Sequence, residues 1–324
     1  MSFAIRIHQT GGPEVLRWEA VTVGDPAPGE VRIRHEAVGL NFIDTYQRSG
    51  LYPLPLPAVL GQEGAGVVEA VGEGVSEFKV GDRVAYAGGP VGAYCQARCL
   101  PAWVLLKLPD RIDFHTGAAM MLQGLTSAYL LRHTYRVQPG DTVLIHAAAG
   151  GVGLIACQWA KALGATVIGT VSTEFKADLA CQHGCDHVII HGREDIVARV
   201  RALTDGVGVS VVYDGVGKAT FMASLDCLRR RGMLVTFGNA SGAVPPFDPL
   251  LLTQKGSLFL TRPKLADYMT QRSELLALAD ELFGFMATGK LHIRINQTYA
   301  LADVAHAHRD LEARRTTGST VLLP

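Results

Sequence analysis

What this sequence most clearly lacks is an excess of positive or negative charge. Lys and Arg number 30, Asp and Glu also number 30, and charged residues are 19% of the chain. Proteins that bind nucleic-acid phosphates usually show a basic excess or a clustered basic face. The run "RRR" at 229–231 is a short basic cluster, and a solvated helix end explains it most simply. We therefore expect no nucleic-acid partner.

Long apolar runs are missing as well. No stretch of about 18 uninterrupted apolar residues occurs, as a membrane-spanning helix would need, and the opening "MSFAIRIHQTGGPEVL" lacks the apolar centre of a signal peptide. Cysteine is sparse, and its scattered placement suits buried reduced thiols better than a disulfide framework. The six are Cys95, Cys99, Cys157, Cys181, Cys185 and Cys227. These features predict a cytoplasmic protein without a membrane span.

The pattern of the sequence changes near residue 124. Before it, β-branched runs such as "VRIRHEAVGL" and "AGVVEAVG" are separated by Gly and Pro clusters, which is typical of a small β-rich domain. After it, six strand-like runs from "TVLIHA" to "SLFLT" alternate with helical segments. This alternation predicts βαβ units and a doubly wound parallel sheet, so the expected fold class is α/β with a second, β-rich domain.

The C-terminal strands have no βαβ partner in the pattern. From residue 263 a long helical segment leads to "HIRINQTYAL" and then to the terminal "STVLLP". We expect these strands to return to the β-rich half. The predicted organisation is therefore a β-rich domain at 1–124, an α/β domain at 125–262, and a return to the β-rich domain at 263–324, in keeping with the two domains usual at 324 residues.

A glycine-rich junction stands between the first strand and first helix of the alternating series. In "IHAAAGGVGLIACQWAKALGA" at 145–165, Gly150, Gly151 and Gly153 follow the strand directly. Glycines here let the backbone turn tightly and let a pyrophosphate approach a helix N-terminus, whose N–H groups favour an anion. The pattern is A-x-G-x-x-G from Ala148. A strand–helix turn without a ligand would look similar in isolation, but the six alternating strands make a dinucleotide site the expectation.

The end of the second strand indicates which dinucleotide is expected. NAD-binding domains place an acidic side chain there for the ribose 2′-OH, whereas this sequence reads "TVSTEFK". Ser172, Thr173 and Lys176 suit a 2′-phosphate, so NADPH is favoured over NADH. Glu174 would repel that phosphate unless it points to solvent. Capping of the next helix by Ser172 or Thr173 is the alternative explanation, and both roles are compatible.

Short motifs from end to end of the chain carry a resemblance to a known family. They are "GGPEVL" at 11–16, "GLNFIDTYQRSGLYP" at 39–53, "LGQEGAGVVEAVGEGV" at 60–75, "GDRVAYA" at 81–87, "GLTSAYLL" at 124–131, "HAAAGGVGLIACQWAKALGA" at 146–165, "VVYDGVG" at 211–217 and "FGNASGAV" at 237–244. With them the chain resembles the zeta-crystallin-like quinone oxidoreductases, a zinc-independent branch of the medium-chain dehydrogenase/reductase superfamily. The resemblance implies a GroES-like catalytic domain, a Rossmann NADPH-binding domain and a homodimer joined edge to edge through the nucleotide-binding sheets.

Two positions separate this chain from the superfamily's zinc-dependent alcohol dehydrogenases. Asn41 stands where those enzymes carry a catalytic Cys, and Gln62 in "GQE" stands where they carry the His of "GHE". Their structural-zinc loop is also missing, because Cys95 and Cys99 form only an isolated pair. Side-chain amides are poor zinc ligands. We therefore expect a metal-free enzyme.

A metal-free hydride transfer needs an acceptor that is already electron-poor, and a quinone fits. The protein would then supply orientation and hydrogen bonds to the oxyanion that develops. The resemblance puts "NFIDTY" and "SGLY" beside the nicotinamide and substrate, which makes Asn41, Tyr46 and Tyr52 the candidate contacts to a quinone oxygen. Asp44 is interpreted as an orienting or cofactor-contacting group. Ordinary aromatic packing is the alternative for each tyrosine.

The remaining cofactor contacts are implied by the resemblance, position by position. They are Asn41, Phe42, Asp44, Thr126 and Tyr129 on the nicotinamide side, Gly150, Gly151 and Val152 at the pyrophosphate, Ser172, Thr173 and Lys176 at the 2′-phosphate, and Phe237, Gly238, Asn239 and Ser241 closing over the cofactor. Arg314, in the C-terminal return, is a further candidate contact. His191 stands where close relatives carry a Tyr near the adenosine. Adenine stacking and a solvated loop position are both open for it.

Two other functions fit the same residues. A related metal-free enzyme would reduce the carbon–carbon double bond of an alkenal or enone with the same hydride. A protein of another class would bind NADPH with little turnover and serve in structure or sensing. Intact "NFIDTY" and "SGLY" stretches argue against a pure binder, which has no need for a lined substrate site, and fold alone decides nothing here.

Overall fold

The computed structural model describes residues 2–324 and divides them into two compact units. Unit 1 comprises the described residues up to 123 together with 269–279 and 293–324, and unit 2 comprises 124–268 and 280–292. The three segments expected from the sequence, divided at 124 and at 262, stay a prediction about domains. Within residues 2–324, no helix is both long and apolar enough to cross a membrane.

Short β-strands dominate the first part of the chain. In order, the elements are β1 (Ser2–Ile7), β2 (Arg17–Val21), β3 (Glu30–Leu40), α1 (Phe42–Ser49), β4 (Ala58–Val59), β5 (Glu63–Val71), β6 (Arg83–Ala87), β7 (Ala97–Pro101), β8 (Leu106–Lys107) and α2 (Phe114–Tyr129). A short π-helical segment, Leu130–Thr134, continues α2.

Strands and helices then alternate up to β14. The elements are β9 (Thr142–Ile145), α3 (Gly151–Ala162), β10 (Thr166–Val171), α4 (Glu174–Gln182), β11 (His187–Ile190), α5 (Ile196–Leu203), β12 (Val209–Asp214), α6 (Phe221–Cys227), β13 (Leu228–Thr236), α7 (Leu250–Gln254) and β14 (Phe259–Thr261). The chain ends with α8 (Arg272–Ala287), β15 (Ile295–Ala300), α9 (Val304–Glu312) and β16 (Ser319–Leu323).

Unit 1 is built on two sheets, one with the strand order β2-β1-β4 and a larger one with the order β15-β16-β3-β5-β6-β8, in which β7 also pairs with β3. The C-terminal β16 runs antiparallel to β3, with Thr320 opposite Leu40. This register brings the start of the last strand beside the residues that follow β3. Ile33, Val68 and Tyr86 belong to the core beneath the sheet, and each is at most 1% exposed.

Unit 2 is a six-stranded sheet with the order β11-β10-β9-β12-β13-β14, and every pairing is parallel. The six predicted strands and the α/β fold class are therefore confirmed. Its core contains Leu144, Ile168 and Leu234, each 0% exposed, and full burial of one such side chain is worth about 1.5–3 kcal/mol. The chain order reverses between β9 and β12, and doubly wound sheets bind ligands outside the strand ends at such a point.

The basic triplet at 229–231 is not a helix end, contrary to the prediction. Helix α6 stops at Cys227, and the three arginines lie exposed within β13. Leu228 pairs with Val209 and Met233 pairs with Val211, so the residues between them form a bulge in the strand pairing. The bulge leaves the side chains of all three arginines exposed to solvent. They are therefore solvated as predicted, but they lie in a strand and not at a helix end.

Candidate functional site

The turn from β3 into α1 is the first place where unit 1 concentrates buried polar groups. Asn41 is the N-cap of α1, and its backbone N–H donates to Asp44 Oδ2 at 2.8 Å. A carboxylate in the first helical turn satisfies an otherwise orphaned donor and lies at the positive end of the helix dipole. Asp44 itself is 0% exposed. The sequence "NFID" therefore builds a buried acid into a helix start.

The Asn41 side chain is held from both sides. Its Nδ2 donates to Glu63 Oε1 at 2.5 Å, and its Oδ1 accepts from Gln123 Nε2 at 3.1 Å. Glu63 Oε2 accepts from the backbone N–H of Leu122 at 2.6 Å. Ser319 Oγ in turn lies 2.7 Å from Gln123 Oε1. Four polar side chains from different elements thus form one line of hydrogen bonds, which we call the Glu63–Asn41–Gln123–Ser319 chain.

Glycine at position 39 makes room for the buried acid of this chain. A Cβ at Gly39 would lie 2.2 Å from Glu63 Oε1 and 2.4 Å from the carbonyl oxygen of Ala118. No side chain fits at such distances, so the backbone of β3 approaches Glu63 only because residue 39 has none. Burial raises the pKa of Glu63 to about 8, with the hydrogen bonds from Leu122 and Asn41 acting in the opposite direction.

A second buried line of hydrogen bonds leads from Asp44 toward the surface. Tyr94 donates its hydroxyl proton to Asp44 Oδ2 at 2.8 Å, and His308 Nε2 lies 3.2 Å from the same hydroxyl. Arg48 donates to His308 Nδ1 at 3.0 Å and forms an ion pair with Glu312 at 2.6 Å. Since Arg48 only donates, His308 Nδ1 is an acceptor and its Nε2 carries the proton.

The buried groups of this second line have shifted proton affinities. Burial raises the pKa of Asp44 to about 7, although the Asn41 N–H and the Tyr94 hydroxyl work against the shift. Burial also lowers the pKa of His308 to about 3, and the neighbouring Arg48 charge adds to the effect. Asp44 Oδ1 has no hydrogen-bond partner among the described residues, so it is the oxygen on which a proton would reside. The line therefore holds a neutral imidazole and an acid that titrates near neutrality.

The predicted aromatic contacts form a cluster on and after α1. The rings of Phe42 and Tyr46 are 6.2 Å apart, and those of Tyr46 and Tyr52 are 5.2 Å apart in an edge-on arrangement. Tyr46 is 8% exposed and Tyr52 is intermediate. The structure thus brings all three together with Asn41. Aromatic packing accounts for the cluster, and whether either tyrosine contacts a substrate stays a prediction.

The residues at the zinc-ligand positions do not suit a metal. The Asn41 amide is engaged by Glu63 and Gln123, and Gln62 offers a second amide that is 8% exposed. Zinc in proteins takes thiolate, imidazole or carboxylate donors. Among residues 2–324, no group of three or more His, Cys, Asp or Glu side chains is arranged to hold a metal ion.

In unit 2 the glycine-rich junction forms the start of α3. Gly150 is its N-cap in extended conformation, and no side chain caps the helix. A Cβ at Gly153 would lie 2.3 Å from the carbonyl oxygen of Ala147, so glycine is required there for the helix to start so close to the strand end. The first N–H groups, at Gly151 and Val152, have no partner within the helix. The terminus is therefore suited to an anion.

A buried polar cluster lies beside this junction, and it was not predicted. His146, at the end of β9, contacts Thr170 Oγ1 at 2.9 Å and Ser224 Oγ at 3.0 Å. Asp214 accepts from the Ser224 hydroxyl at 2.9 Å and from the N–H groups of residues 216 and 217. The cluster links the ends of β9, β10 and β12, so it orders the loops at the switch point. The sequence feature that could have indicated this cluster is Asp214, an acidic residue at the end of the apolar run "VSVVYD".

The segment after β10 combines a helix cap with one basic side chain, Lys176. Thr173 is the N-cap of α4 and its hydroxyl accepts from the N–H of Lys176 at 3.3 Å, so the capping interpretation is confirmed. Ser172 is exposed and Lys176 is half-buried. Glu174 is 70% exposed and forms an ion pair with Arg193. Its negative charge is therefore compensated by a neighbouring guanidinium.

The loop after β13 is held against the loop after β12. A Cβ at Gly238 would lie 2.3 Å from the carbonyl oxygen of Gly215. Ser241 donates its hydroxyl to the carbonyl of Val216 at 2.8 Å and accepts from the N–H of Ala219 at 2.9 Å. Both Phe237 and Asn239 are partly exposed. The Ser241 hydroxyl therefore holds the loop after β13 against the loop after β12.

The other predicted contacts lie on different elements. Thr126 and Tyr129 are on α2, 8% and 2% exposed, and Tyr129 stacks on Tyr268 with ring centroids 4.5 Å apart. His191 is exposed in the loop after β11, and its N–H donates to the carbonyl of Val171 at 2.7 Å. Arg314 belongs to unit 1 and is exposed just after α9. Their roles toward a cofactor stay predictions.

Several buried residues of unit 1 were missed from the sequence. They are Glu63, Gln123, Ser319, Tyr94, His308 and Arg48. Glu63 follows Gln62 in "GQE", so a buried acid there could have been suspected. The others pair with residues far away in sequence, and the separation reaches 264 positions between Arg48 and its partner Glu312. No local sequence pattern predicts such pairings.

Comparisons with known proteins cover the whole chain. Residues 27–110 match the alcohol dehydrogenase GroES-like domain, and residues 151–274 match the zinc-binding dehydrogenase family. A quinone oxidoreductase of Pseudomonas aeruginosa is 58% identical over 325 residues, with 100% of both chains covered. A 2-haloacrylate reductase of a Burkholderia species is 50% identical over 332 residues, covering 100% of this chain and 99% of the relative. The crystal structure of Escherichia coli quinone oxidoreductase complexed with NADPH superposes with a TM-score of 0.98 at 50% identity, covering 99% and 100% of the two chains.

Proposed function

Since the chain belongs to the quinone oxidoreductases of the zinc-binding dehydrogenase family, we propose that it reduces a quinone with NADPH and without a metal. The observation that carries the proposal is the amide of Asn41, oriented by Glu63 and Gln123 at the position where zinc-dependent relatives carry a metal ligand. A quinone needs no Lewis acid, because hydrogen bonds to the developing oxyanion are sufficient.

The start of α3 supports the cofactor assignment. Gly151 and Val152 would hold the pyrophosphate through backbone N–H groups, since no side chain competes for them. Gly150 donates its own N–H to the carbonyl of Ala147, so it would contribute by letting the pyrophosphate approach the backbone closely. Ser172, Thr173 and Lys176 would hold the 2′-phosphate. The ion pair of Glu174 with Arg193 reduces the repulsion that this carboxylate would otherwise exert. NADPH, once bound, supplies the hydride.

The remaining predicted residues would surround the nicotinamide and the substrate. Asn41, Tyr46 and Tyr52 are proposed to donate hydrogen bonds to a quinone oxygen, with Phe42, Thr126 and Tyr129 beside the nicotinamide. The loop residues Phe237, Gly238, Asn239 and Ser241 would close over the cofactor, with His191 near the adenosine and Arg314 as a further contact. Asp44 has no exposed surface, so its proposed role is to hold the start of α1 that carries Asn41.

Reduction of an activated carbon–carbon double bond is the second candidate. The 2-haloacrylate reductase at 50% identity favours it, because that substrate is an electron-poor alkene. An NADPH-binding protein with little turnover is a third possibility. A protein that only binds NADPH would not need the Asn41 amide to be oriented by Glu63 and Gln123.

We also propose a homodimer and a cytoplasmic location. Strand β14 is the last strand in the order of the unit 2 sheet, and its Phe259 is 56% exposed. An exposed strand edge with an apolar side chain favours pairing with a second copy. All six cysteines are free thiols, which suits a reducing compartment.

The proposal is tested by following loss of reduced-nicotinamide absorbance with chelator-treated protein. NADPH and NADH are each offered with a simple quinone, a polycyclic quinone, a trans-2-alkenal and 2-chloroacrylate. We expect quinone-dependent oxidation of NADPH that survives chelation, with NADH at least about tenfold poorer in kcat/KM, as expected from loss of one charged contact.

Each alternative has its own outcome in this assay. Consumption of only the alkenal or the haloacrylate would replace the quinone proposal by double-bond reduction. Tight NADPH binding without turnover of any acceptor would support the binding protein. Activity lost on chelation and restored by Zn²⁺ would contradict the metal-free assignment.

A further inference from the structure

The Glu63–Asn41–Gln123–Ser319 chain accepts two complete hydrogen-bond patterns. All four side chains are buried, with exposures of 0%, 8%, 6% and 2%. The N and O atoms of a side-chain amide have nearly the same size and exchange places by a half-turn of the amide group. Two amides in series, between a carboxyl group and a hydroxyl group, can therefore reverse direction together.

In the first pattern Glu63 is ionised. Its Oε2 accepts from Leu122 N–H and its Oε1 accepts from Asn41 Nδ2. Asn41 Oδ1 then accepts from Gln123 Nε2, and Gln123 Oε1 accepts from the Ser319 hydroxyl. Every hydrogen bond in the line points toward the carboxylate.

In the second pattern Glu63 carries a proton on Oε1. The hydroxyl so formed donates to the Asn41 oxygen, Asn41 donates to the Gln123 oxygen, and Gln123 donates to Ser319 Oγ. The Ser319 hydroxyl then turns to the carbonyl oxygen of Ala119, which lies 3.0 Å away. The Ala119 carbonyl completes this pattern, because without it the buried Ser319 hydroxyl would have no acceptor for its proton.

We propose that Glu63, Gln123 and Ser319 are positioning residues that decide whether Asn41 presents a donor or an acceptor to the substrate, and that one proton on Glu63 reverses the choice. The inference rests on the proposed function for the identity of the substrate oxygen. With Glu63 ionised, the second N–H of Asn41 is available to a quinone oxygen that gains negative charge. With Glu63 protonated, the same place holds a carbonyl lone pair, which suits the hydroxyl of a hydroquinone.

The groups around Glu63 put the change near neutral pH. Asp44 from α1 opposes its ionisation by like charge, and Tyr86 from β6 and Tyr94 from the following loop also interact with it electrostatically. Helix α2 contributes the Leu122 N–H, which favours the ionised form. Burial is the largest influence and favours the neutral form, so the two forms lie close in free energy.

Glu63→Gln is the main test. In this variant the introduced oxygen must face the Leu122 N–H, so the introduced NH₂ donates to Asn41 and holds the second pattern at every pH. We expect kcat/KM for quinone to fall about 10–100-fold at the alkaline side of the profile and to lose its pH dependence between pH 6 and 9. The KM for NADPH should stay within about twofold.

A measurement on the free protein separates this inference from the proposed function. Infrared difference spectra between pH 6 and 9 should contain two carbonyl components of protonated carboxyl groups, one from Glu63 and one from Asp44. The Glu63 band is the component that Glu63→Gln removes and Asp44→Asn keeps. Absence of that band in the unaltered protein would overturn the inference whatever the activity. If the band is present and no quinone is reduced, the proton chain stands and the proposed function fails.

A second variant covers the case in which Glu63→Gln does not fold. Ser319→Ala takes the donor from the Gln123 oxygen in the first pattern and the acceptor from the Gln123 N–H in the second. A buried N–H tolerates the loss of its partner less well than a buried carbonyl oxygen does, so the midpoint of the Glu63 infrared change should move to lower pH. Thr320→Ala is the matched control, because Thr320 is a 3% exposed residue on β16 whose hydroxyl accepts from Gln297 outside the chain. Equal midpoints in both variants would overturn the inference.

Discussion

At the residue scale, the chemistry of unit 1 depends on two buried acids, Asp44 and Glu63, that accept hydrogen bonds from neutral donors. Asp44 accepts from a backbone N–H and a tyrosine hydroxyl, and Glu63 accepts from a backbone N–H and an amide. Neutral donors offset only part of the cost of burying a carboxylate, so the pKa values of both acids rise toward neutrality. Each remaining donor is therefore important for stability.

Removing the hydroxyl of Tyr94 tests this dependence. Tyr94→Phe leaves Asp44 Oδ2 with the Asn41 N–H alone and deprives His308 Nε2 of its acceptor. We expect the free energy of unfolding in urea to fall by about 1–3 kcal/mol, the usual cost of leaving buried partners unsatisfied. The loss should shrink below pH 7, because Asp44, with a raised native pKa of about 7, then binds a proton and no longer buries a charge.

The control uses a tyrosine in a less buried hydrogen bond. Tyr299 donates to Asp310 Oδ2 at 2.6 Å, and Asp310 also pairs with Arg315 and so keeps a partner. Tyr299→Phe should cost less than about 1 kcal/mol. Equal losses in the two variants would show that the Asp44 line has no special cost of burial.

At the element scale, three strand ends of unit 2 shape the nucleotide site. The helix after β9 starts at a glycine without a side-chain cap, the helix after β10 starts at a threonine that caps it, and the loop after β12 is held by Asp214. The first terminus is left to a ligand, whereas the second is already satisfied. This difference explains why a pyrophosphate is proposed at α3, and why the segment before α4 contributes side chains instead.

Lys176 on α4 provides the test of the proposed 2′-phosphate contact. Lys176→Ala should raise the KM for NADPH about tenfold, in line with the loss of one charge-assisted hydrogen bond, and should change the KM for NADH less than about twofold. Steady-state kinetics with both nucleotides measure the ratio. Lys290→Ala removes an exposed lysine elsewhere in unit 2 and should leave both values unchanged. Parallel changes for the two nucleotides would exclude a 2′-phosphate role.

At the scale of the whole molecule, the open edge of the unit 2 sheet sets the assembly that we propose. The β14 edge carries an apolar side chain in solvent, and natural proteins usually cover or charge such an edge. A second copy of the chain would cover it and extend the sheet across a twofold axis, which is the commonest symmetry of soluble oligomers.

Phe259→Asp should therefore convert the protein to a monomer in sedimentation velocity at micromolar concentration, because a buried carboxylate opposes the interface. The control is Phe175→Asp on α4, where the side chain is 69% exposed and lies off the sheet edge. A protein that is monomeric before substitution, or that stays dimeric in Phe259→Asp, would contradict assembly through this edge.

The sequence alone determined the α/β class, the six parallel strands, the glycine junction and a helix cap at Ser172 or Thr173, because each follows from local periodicity or from a short run of residues with a backbone requirement. The structure decided for Thr173. It also identified Asn41 as an amide at a metal-ligand position. Only the tertiary structure decided what holds that amide, since Glu63, Gln123 and Ser319 come from three distant segments. The pairing of β5 with β3 places Glu63, the pairing of β16 with β3 places Ser319, and helix α2 supplies Gln123. The burial that shifts the pKa values of Glu63, Asp44 and His308 is likewise a property of packed surroundings, which local sequence does not encode.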